Sequence, residues 1–436
     1  MEELSGESLS LSRKPPVDVA SPNLSSAGAV FIMLKSSLGA GLLNFPWAFN
    51  KAGGITTAVL VELVSLIFLI SGLVILGYAA SISSHSTYQG VVRELCGQAV
   101  GKLCEICFIV NLFMISVAFL RVVGDQLEKL CDSLYLNETL SGAAPFPRPW
   151  YTDQRFTLSV LCIVVILPLS APREIGFQKY TSILGTLAAC YLILVIMVKY
   201  HLQPESPHQE IPPHPLRPSS WVFVFNIFPT ICFGFQCHEA SVAVYCSMHN
   251  RKLTHWFTVS VLSMLICLLI YSLTGIYGYL TFGADVSADV LMSYPGNDMM
   301  IIVARLLFGI SIITIYPIVL LLGRSVTQDV CAPVLSAKPS EALARMLLTV
   351  LWIATTLLVA LFVPDISKVI SLIGGISAFF IFIFPGLCLI CAMETESIQP
   401  KTKSCLISWG VISILSGTFI FGQSTSAAIM DLLSSS

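Results

Sequence analysis

Two stretches of this chain place glycine and proline where an apolar helix should run unbroken. They are Lys35-Ser36-Ser37-Leu38-Gly39-Ala40-Gly41-Leu42-Leu43-Asn44-Phe45-Pro46 and Phe228-Pro229-Thr230-Ile231-Cys232-Phe233-Gly234-Phe235-Gln236-Cys237-His238-Glu239. In hydrocarbon a backbone group without a partner costs several kcal/mol, so such a break persists where it lines a cavity or binds something. Gly39, Ala40 and Gly41 let the chain unwind and present amides. The half-helix restarting at Leu42 turns its positive end to the break, a seat for a carboxylate. Pro46 removes the amide that would pair with the Leu42 carbonyl, and Pro229 likewise frees the carbonyl of Phe225. Gly234 permits unwinding, while Phe233 and Phe235 flank it as pocket walls. The span from Phe233 through Cys237 to His238 is the seat expected for an amine and a small side chain. A pair of breaks about 190 residues apart is the sequence mark of a carrier's midplane site. The competing reading is that small residues merely let helices pack closely.

Polar side chains within apolar stretches are functional candidates by default. Lys35 stands one helical turn before Gly39, with Ser36 beside it. Ser311 and Thr314, spaced i and i+3, share a helix face. Their hydroxyls could join carbonyls of the first break around a small cation, or bond back to their own helix. His238 either titrates near neutral pH or bonds a neighbouring helix. Glu62 requires a partner, expected among the basic residues. Arg121, one turn before Asp125, and Arg305 are expected to snorkel to helix ends, and Glu239 to be solvated at the inner end of its segment. No nucleophile–base arrangement stands out, so no enzyme is expected.

The elements that must position these residues are membrane helices. Apolar residues make up 55% of the 436 and charged ones 11%, against about one quarter charged in soluble domains. Eleven apolar segments are long enough to span a bilayer: 27–49, 55–80, 103–126, 156–170, 180–198, 221–244, 257–281, 299–323, 346–363, 369–393 and 405–430. The fold class is therefore an all-α polytopic membrane protein. Residues 1–26 read as a polar, disordered cytoplasmic tail without a cleavable signal. Five segments (27–200), a proline- and histidine-rich outer loop (201–220) and five more (221–393) have the parity of a five-plus-five inverted repeat. Segments one and six are discontinuous, and an eleventh helix with a short tail occupies 394–436.

With the N-terminus inside, thirteen Lys and Arg fall in inner segments and seven in outer ones, which favours N-in and C-out. Asn137-Glu138-Thr139 is then an accessible glycosylation sequon, whereas Asn23-Leu24-Ser25 is not. Most cysteines lie in apolar segments and act as small hydrophobes. Residues 85–102, with Tyr88, Val91 and Val92 among charges, read as an amphipathic inner helix.

Gly39-Ala40-Gly41-Leu42-Leu43 followed by Lys51-Ala52-Gly53-Gly54, together with Phe235-Gln236-Cys237-His238, resembles the amino acid/auxin permease superfamily. The placing of Arg305 and Arg324 about Pro317 adds to the likeness. Within that superfamily the chain is similar to the sodium-coupled neutral amino acid transporters, the system A and system N carriers. The resemblance covers all eleven segments and implies the inverted-repeat fold of the bacterial leucine transporter with alternating access. It implies a plasma-membrane symporter of glutamine and other small neutral amino acids such as alanine, histidine and asparagine. Sodium is the implied coupling ion, with protons as a second ion in some relatives; a lysosomal address is the alternative. It implies no organic cofactor and no nucleic-acid partner. One position departs from the pattern. Many relatives carry a sodium-linked asparagine four residues before the first glycine, where this chain has Lys35. Its ammonium could replace the cation, giving a proton-coupled or sodium-independent carrier, or it could turn away and pair with Glu62. A sensor that binds amino acids without transporting them ranks lower.

Overall fold

The computed structural model describes residues 24–140, 150–172, 178–202, 225–331, 341–363, 366–396 and 398–434. The expected tail up to residue 23, and 203–224 of the loop and sixth segment, lie outside them.

The described chain is helical throughout. Helix α1 (Ser26–Ser37) starts where the Ser25 hydroxyl accepts the Gly28 amide at 3.1 Å. It stops at Leu38 and Gly39, both extended, and the chain resumes as a 3-10 turn, Ala40–Asn44, and α2 (Phe45–Lys51). Pro46 sits in the first turn of α2, where its missing amide has no helical partner to lose. The two parts meet at 52°. Next come α3 (Ile55–Ile82), the short α4 (Tyr88–Cys96) and α5 (Gln98–Leu140). Helices α6 (Gln154–Leu161) and α7 (Leu167–Ser170) flank a π turn at Cys162–Ile166, and α8 is Gln178–Leu202. The second break separates α9 (Phe228–Gly234) from α10 (His238–Ser247). Helix α11 (Leu253–Phe282) leads through a loop with the one-turn α12 (Val290–Ser293) to α13 (Met299–Cys331) and α14 (Glu341–Phe362). Helices α15 (Ile366–Ala378) and α16 (Phe384–Thr395) flank a second π turn at Phe379–Ile383, before the final α17 (Pro400–Ser434). Each π turn lies just ahead of a proline, Pro168 or Pro385. The wider turn makes room for a ring that would otherwise strike the carbonyl four residues back.

Among the described residues, eight helices are long and apolar enough to cross a membrane, and the bent pair α1–α2 makes nine by length and composition. The segment Gln154–Ser170 is apolar but shorter. The chain is thus an all-helical polytopic membrane protein. Faces toward lipid carry exposed Leu60, Ile67, Leu187, Leu269 and Leu351, as expected where the solvent is hydrocarbon. Helix α5 packs along α13, α14 and α15, and α11 packs on α1, α2 and α3. The amphipathic α4 buries Tyr88, Val91 and Val92 by packing on α5 and α16, so its apolar face is covered by protein.

Candidate substrate site at two helix breaks

The two breaks meet. A Cβ on Gly41 would stand 3.0 Å from the Gly234 Cα and 3.3 Å from Phe233 Cδ1, so glycine is what allows the two backbones to touch. Helix α9 is seated on α15 by the same device: a Cβ on Gly374 would collide with the Pro229 carbonyl. Asn44 ties the first break to two other elements. Its Nδ2 donates to the Ala288 carbonyl at 2.8 Å, and its Oδ1 accepts from the Thr230 hydroxyl at 2.9 Å.

Tyr271 of α11 joins the breaks directly. Its hydroxyl lies 2.7 Å from the Ser37 carbonyl and 2.8 Å from the Gly234 carbonyl, the last residues of α1 and α9. One phenolic proton serves two acceptors that the ended helices leave open. The Tyr271 ring stacks on Phe45 at 4.2 Å between centroids and leans on Phe235 at 4.9 Å. These aromatic walls surround the unwound segments. Sequence reasoning missed Tyr271, whose only mark is a hydroxyl within an apolar run.

Of the residues singled out in the sequence, Gly41 thus meets Gly234 and Phe233, and Phe235 leans on the Tyr271 ring that joins the two breaks. Cys237 is buried in the turn between α9 and α10. His238 is wholly buried, and its Nε2 lies 3.0 Å from the Leu69 carbonyl of α3, so of its two readings the helix-to-helix bond is the one formed. The four residues considered for a cation are divided. Lys35 and Ser36 occupy the last turn of α1, where the Lys35 charge complements the carbonyl end of the helix. Ser311 is buried against Gly185 of α8, and the Thr314 hydroxyl donates back to its own helix at Ile310 or Ser311. Helix α8 packs on both α1 and α13, which share no comparable interface.

Three expectations are corrected. Glu62 has no basic partner among the described residues: its Oε2 accepts the Ser272 hydroxyl at 2.5 Å, and Lys35 forms no ion pair with it. Arg305 does not snorkel. It is fully buried, and its Nη2 donates to the carbonyls of Leu291 and Tyr294, each at 2.9 Å, holding the loop between α11 and α13. Glu239 is half-buried and accepts from Asn111 Nδ2 of α5 at 2.6 Å, while the neighbouring Gln236 accepts from Ser377 at 2.6 Å. Arg121 pairs with Asp125 at 2.7 Å. Asn137 falls on the final turns of α5, and its side chain lies outside the description.

The two sides of the break differ. Leu24, just before α1, exchanges backbone hydrogen bonds with the end of α10: Leu24 N to Ser247 O at 3.2 Å and His249 N to Leu24 O at 3.0 Å. On the other side a cavity of about 380 Å³ is lined by Trp47, Arg121, Asp125, Asp289 and Ile366, among others. Asp289 sits in the loop there, capping Leu291 at 2.9 Å and accepting from Gln126 at 2.6 Å. Burial, with Asp125 close by, pushes its carboxyl up to about 7.

Broken helices set face to face inside an apolar bundle, with a polar cavity on one side, define a membrane transport protein. The chain belongs to the transmembrane amino acid transporter protein family, which matches residues 23–429. Solute carrier family 38 member 8 of Homo sapiens is 66% identical over 99% of this chain and 100% of its own length. Sodium-coupled neutral amino acid transporter 7 of Danio rerio is 45% identical over 98% of this chain and 94% of its own. Among solved structures, the crystal structure of MhsT in complex with L-phenylalanine covers 92% of this chain and 98% of that one at a TM-score of 0.56. Its 16% identity makes that a likeness of fold. The relatives are solute carriers and not enzymes.

Proposed function

We propose that the protein is a sodium-coupled symporter of small neutral amino acids, glutamine first among them, with alanine, histidine and asparagine as further substrates. The observation that carries this reading is the meeting of the two breaks at Gly41 and Gly234 beneath the Tyr271 hydroxyl. In this reading the amides of Gly39, Ala40 and Gly41 hold the carboxylate. The stretch Phe233–Gly234–Phe235, continuing to Cys237 and His238, holds the amine and side chain, and Tyr271 yields its carbonyl partners as the substrate enters. Relatives named as sodium-coupled neutral amino acid transporters support sodium as the driving ion.

The proposal includes eleven crossings arranged as two inverted groups of five (27–200 and 221–393) plus a last helix. The eight long helices, the bent pair α1–α2, the shorter Gln154–Ser170 and the broken pair α9–α10 among the described residues support that reading. It also includes a cytoplasmic N-terminus, an extracellular C-terminus, glycan on Asn137 and residence at the plasma membrane, with the lysosomal membrane as the alternative address. The sodium site is assigned to the α1 end near Lys35–Ser36 with Ser311 and Thr314, and would assemble as α1 and α13 approach. A second reading has its own support. Lys35 is half-buried at the helix end nearest the break and forms no ion pair among the described residues. Its ammonium could stand in the cation's place, leaving transport sodium-independent or proton-coupled.

Radiolabelled glutamine uptake into proteoliposomes, with external sodium exchanged for choline, separates the two. Loss of uptake in choline is expected; undiminished uptake rules out sodium coupling. Under the second reading, Lys35→Asn creates a sodium dependence that the parent chain lacks.

A further inference from the structure

We propose that Glu239 is a proton-binding residue whose loading and release change the grip of α10 on its neighbours. The inference rests on the transport reading above and adds a proton-binding residue to it. Glu239 lies in the first turn of α10, one residue past the second break, where the positive end of that helix favours its charged form. The residue is half-buried. Asn111 is fully buried on α5, donates Nδ2 to Glu239 at 2.6 Å, and leaves its Oδ1 without a partner.

That pairing suits both protonation states. A carboxylate only accepts, and Asn111 Nδ2 serves it; a carboxylic acid must donate, and the idle Oδ1 on the same amide receives after a half-turn about the side-chain bond. The Asn111 amide thus offers Glu239 a partner in either state. The proton passes from hydronium to a Glu239 oxygen, leaving water, and returns by the reverse step. Gln236, within the break, accepts from Ser377 of α15 through its Oε1, and its Nε2 has no hydrogen-bond partner among the described residues. Neutralising Glu239 exchanges a charge-assisted bond from Asn111 for a neutral one of about half the strength, and so loosens the hold of α10 on α5.

The neighbouring ionisable groups are engaged elsewhere, Arg93 of α4 with Glu105 of α5. From α4 the Tyr88 hydroxyl donates to the Phe380 carbonyl at 3.0 Å, and from α5 the Cys104 thiol is buried. On α3, Glu62 is engaged with Ser272, Tyr78 is turned toward Glu396, and His238 beside Glu239 points to Leu69. Lys35 of α1 forms no ion pair with Glu239, and the π turn Phe379–Ile383 carries no titratable group.

The test uses the full chain in proteoliposomes holding a pH-sensitive dye, with glutamine counterflow at equal pH measured alongside. Glu239→Gln keeps an amide partner for Asn111 but cannot titrate. Its protons moved per glutamine should fall about tenfold, with the pH dependence between about 6 and 8 flattened and counterflow still measurable. Glu62→Gln should leave the ratio as in the parent. Asn111→Ala removes a donor to the charged form, so its pH midpoint should rise by about one unit. That variant decides the matter if Glu239→Gln fails to fold. An unchanged proton-to-glutamine ratio in Glu239→Gln, its loss in Glu62→Gln instead, or an unmoved midpoint in Asn111→Ala overturns the proposal. A parent chain without glutamine counterflow overturns the transport reading and this inference together.

Discussion

Gly41 and Gly234 belong to different halves of the chain, yet a single methyl group added to the first would come within 3.0 Å of the Cα of the second. Backbone is a poor neighbour to displace, so Gly41→Ala must push the two breaks apart. An overpacking cost of about 1–3 kcal/mol is expected, seen as a lower melting temperature in detergent and reduced glutamine uptake. Uptake and melting equal to the parent would mean that the breaks do not need this contact.

Tyr271→Phe removes one hydroxyl and keeps the ring that stacks on Phe45. The carbonyls of Ser37 and Gly234 lose a shared donor, a loss of about 1–3 kcal/mol for buried acceptors. Glutamine uptake should drop through a changed apparent affinity, measured as KM in proteoliposomes. A variant with parent kinetics would show that the hydroxyl only fills space.

Asp289 gives a pH signature outside the spanning helices. Its folded value is raised from 3.8 to about 7, chiefly by burial. The folded chain therefore holds a proton that the unfolded chain releases, and this group's contribution to stability falls as pH rises from about 4 through 7. Asp289→Asn should flatten that decline in thermal melts taken between pH 5 and 8. A pH profile that the substitution leaves unchanged would assign the decline to other groups.

Arg305 holds the loop between α11 and α13 by donating to Leu291 and Tyr294 carbonyls from a fully buried position. Arg305→Ala leaves those acceptors unpaired, and a loss of about 3 kcal/mol is expected. Limited proteolysis of the 283–298 loop, compared with the parent, reads the effect. Equal protection in the two proteins would show that the loop is held by its other contacts.

Much of the helical order was legible because apolar runs of fixed length have one stable form in hydrocarbon, where every backbone group must bond within its own segment. The breaks were legible for the same reason, since glycine and proline interrupt such runs visibly at Gly39, Gly41, Pro229 and Gly234. Tyr271, Asn111 and Ser377 were not. Each is an ordinary polar residue on a long helix, and its importance comes from which carbonyl, carboxylate or amide of another helix lies within 3 Å. Arg305 and Glu239 were misjudged because distance from a helix end along the chain does not reveal what covers that end in space.

The sequence by itself determined that this chain is helical and membrane-embedded and where two of its helices must fail, since those follow from local backbone chemistry and the cost of bare amides in lipid. Only the tertiary structure decided that the failures face one another across Gly41 and Gly234 and share the Tyr271 proton. It also decided that Glu62 turns to Ser272 and that α8 packs on both helices carrying the candidate cation residues. Those outcomes depend on how helices hundreds of residues apart fill one another's grooves, a matter of packing that no local pattern specifies.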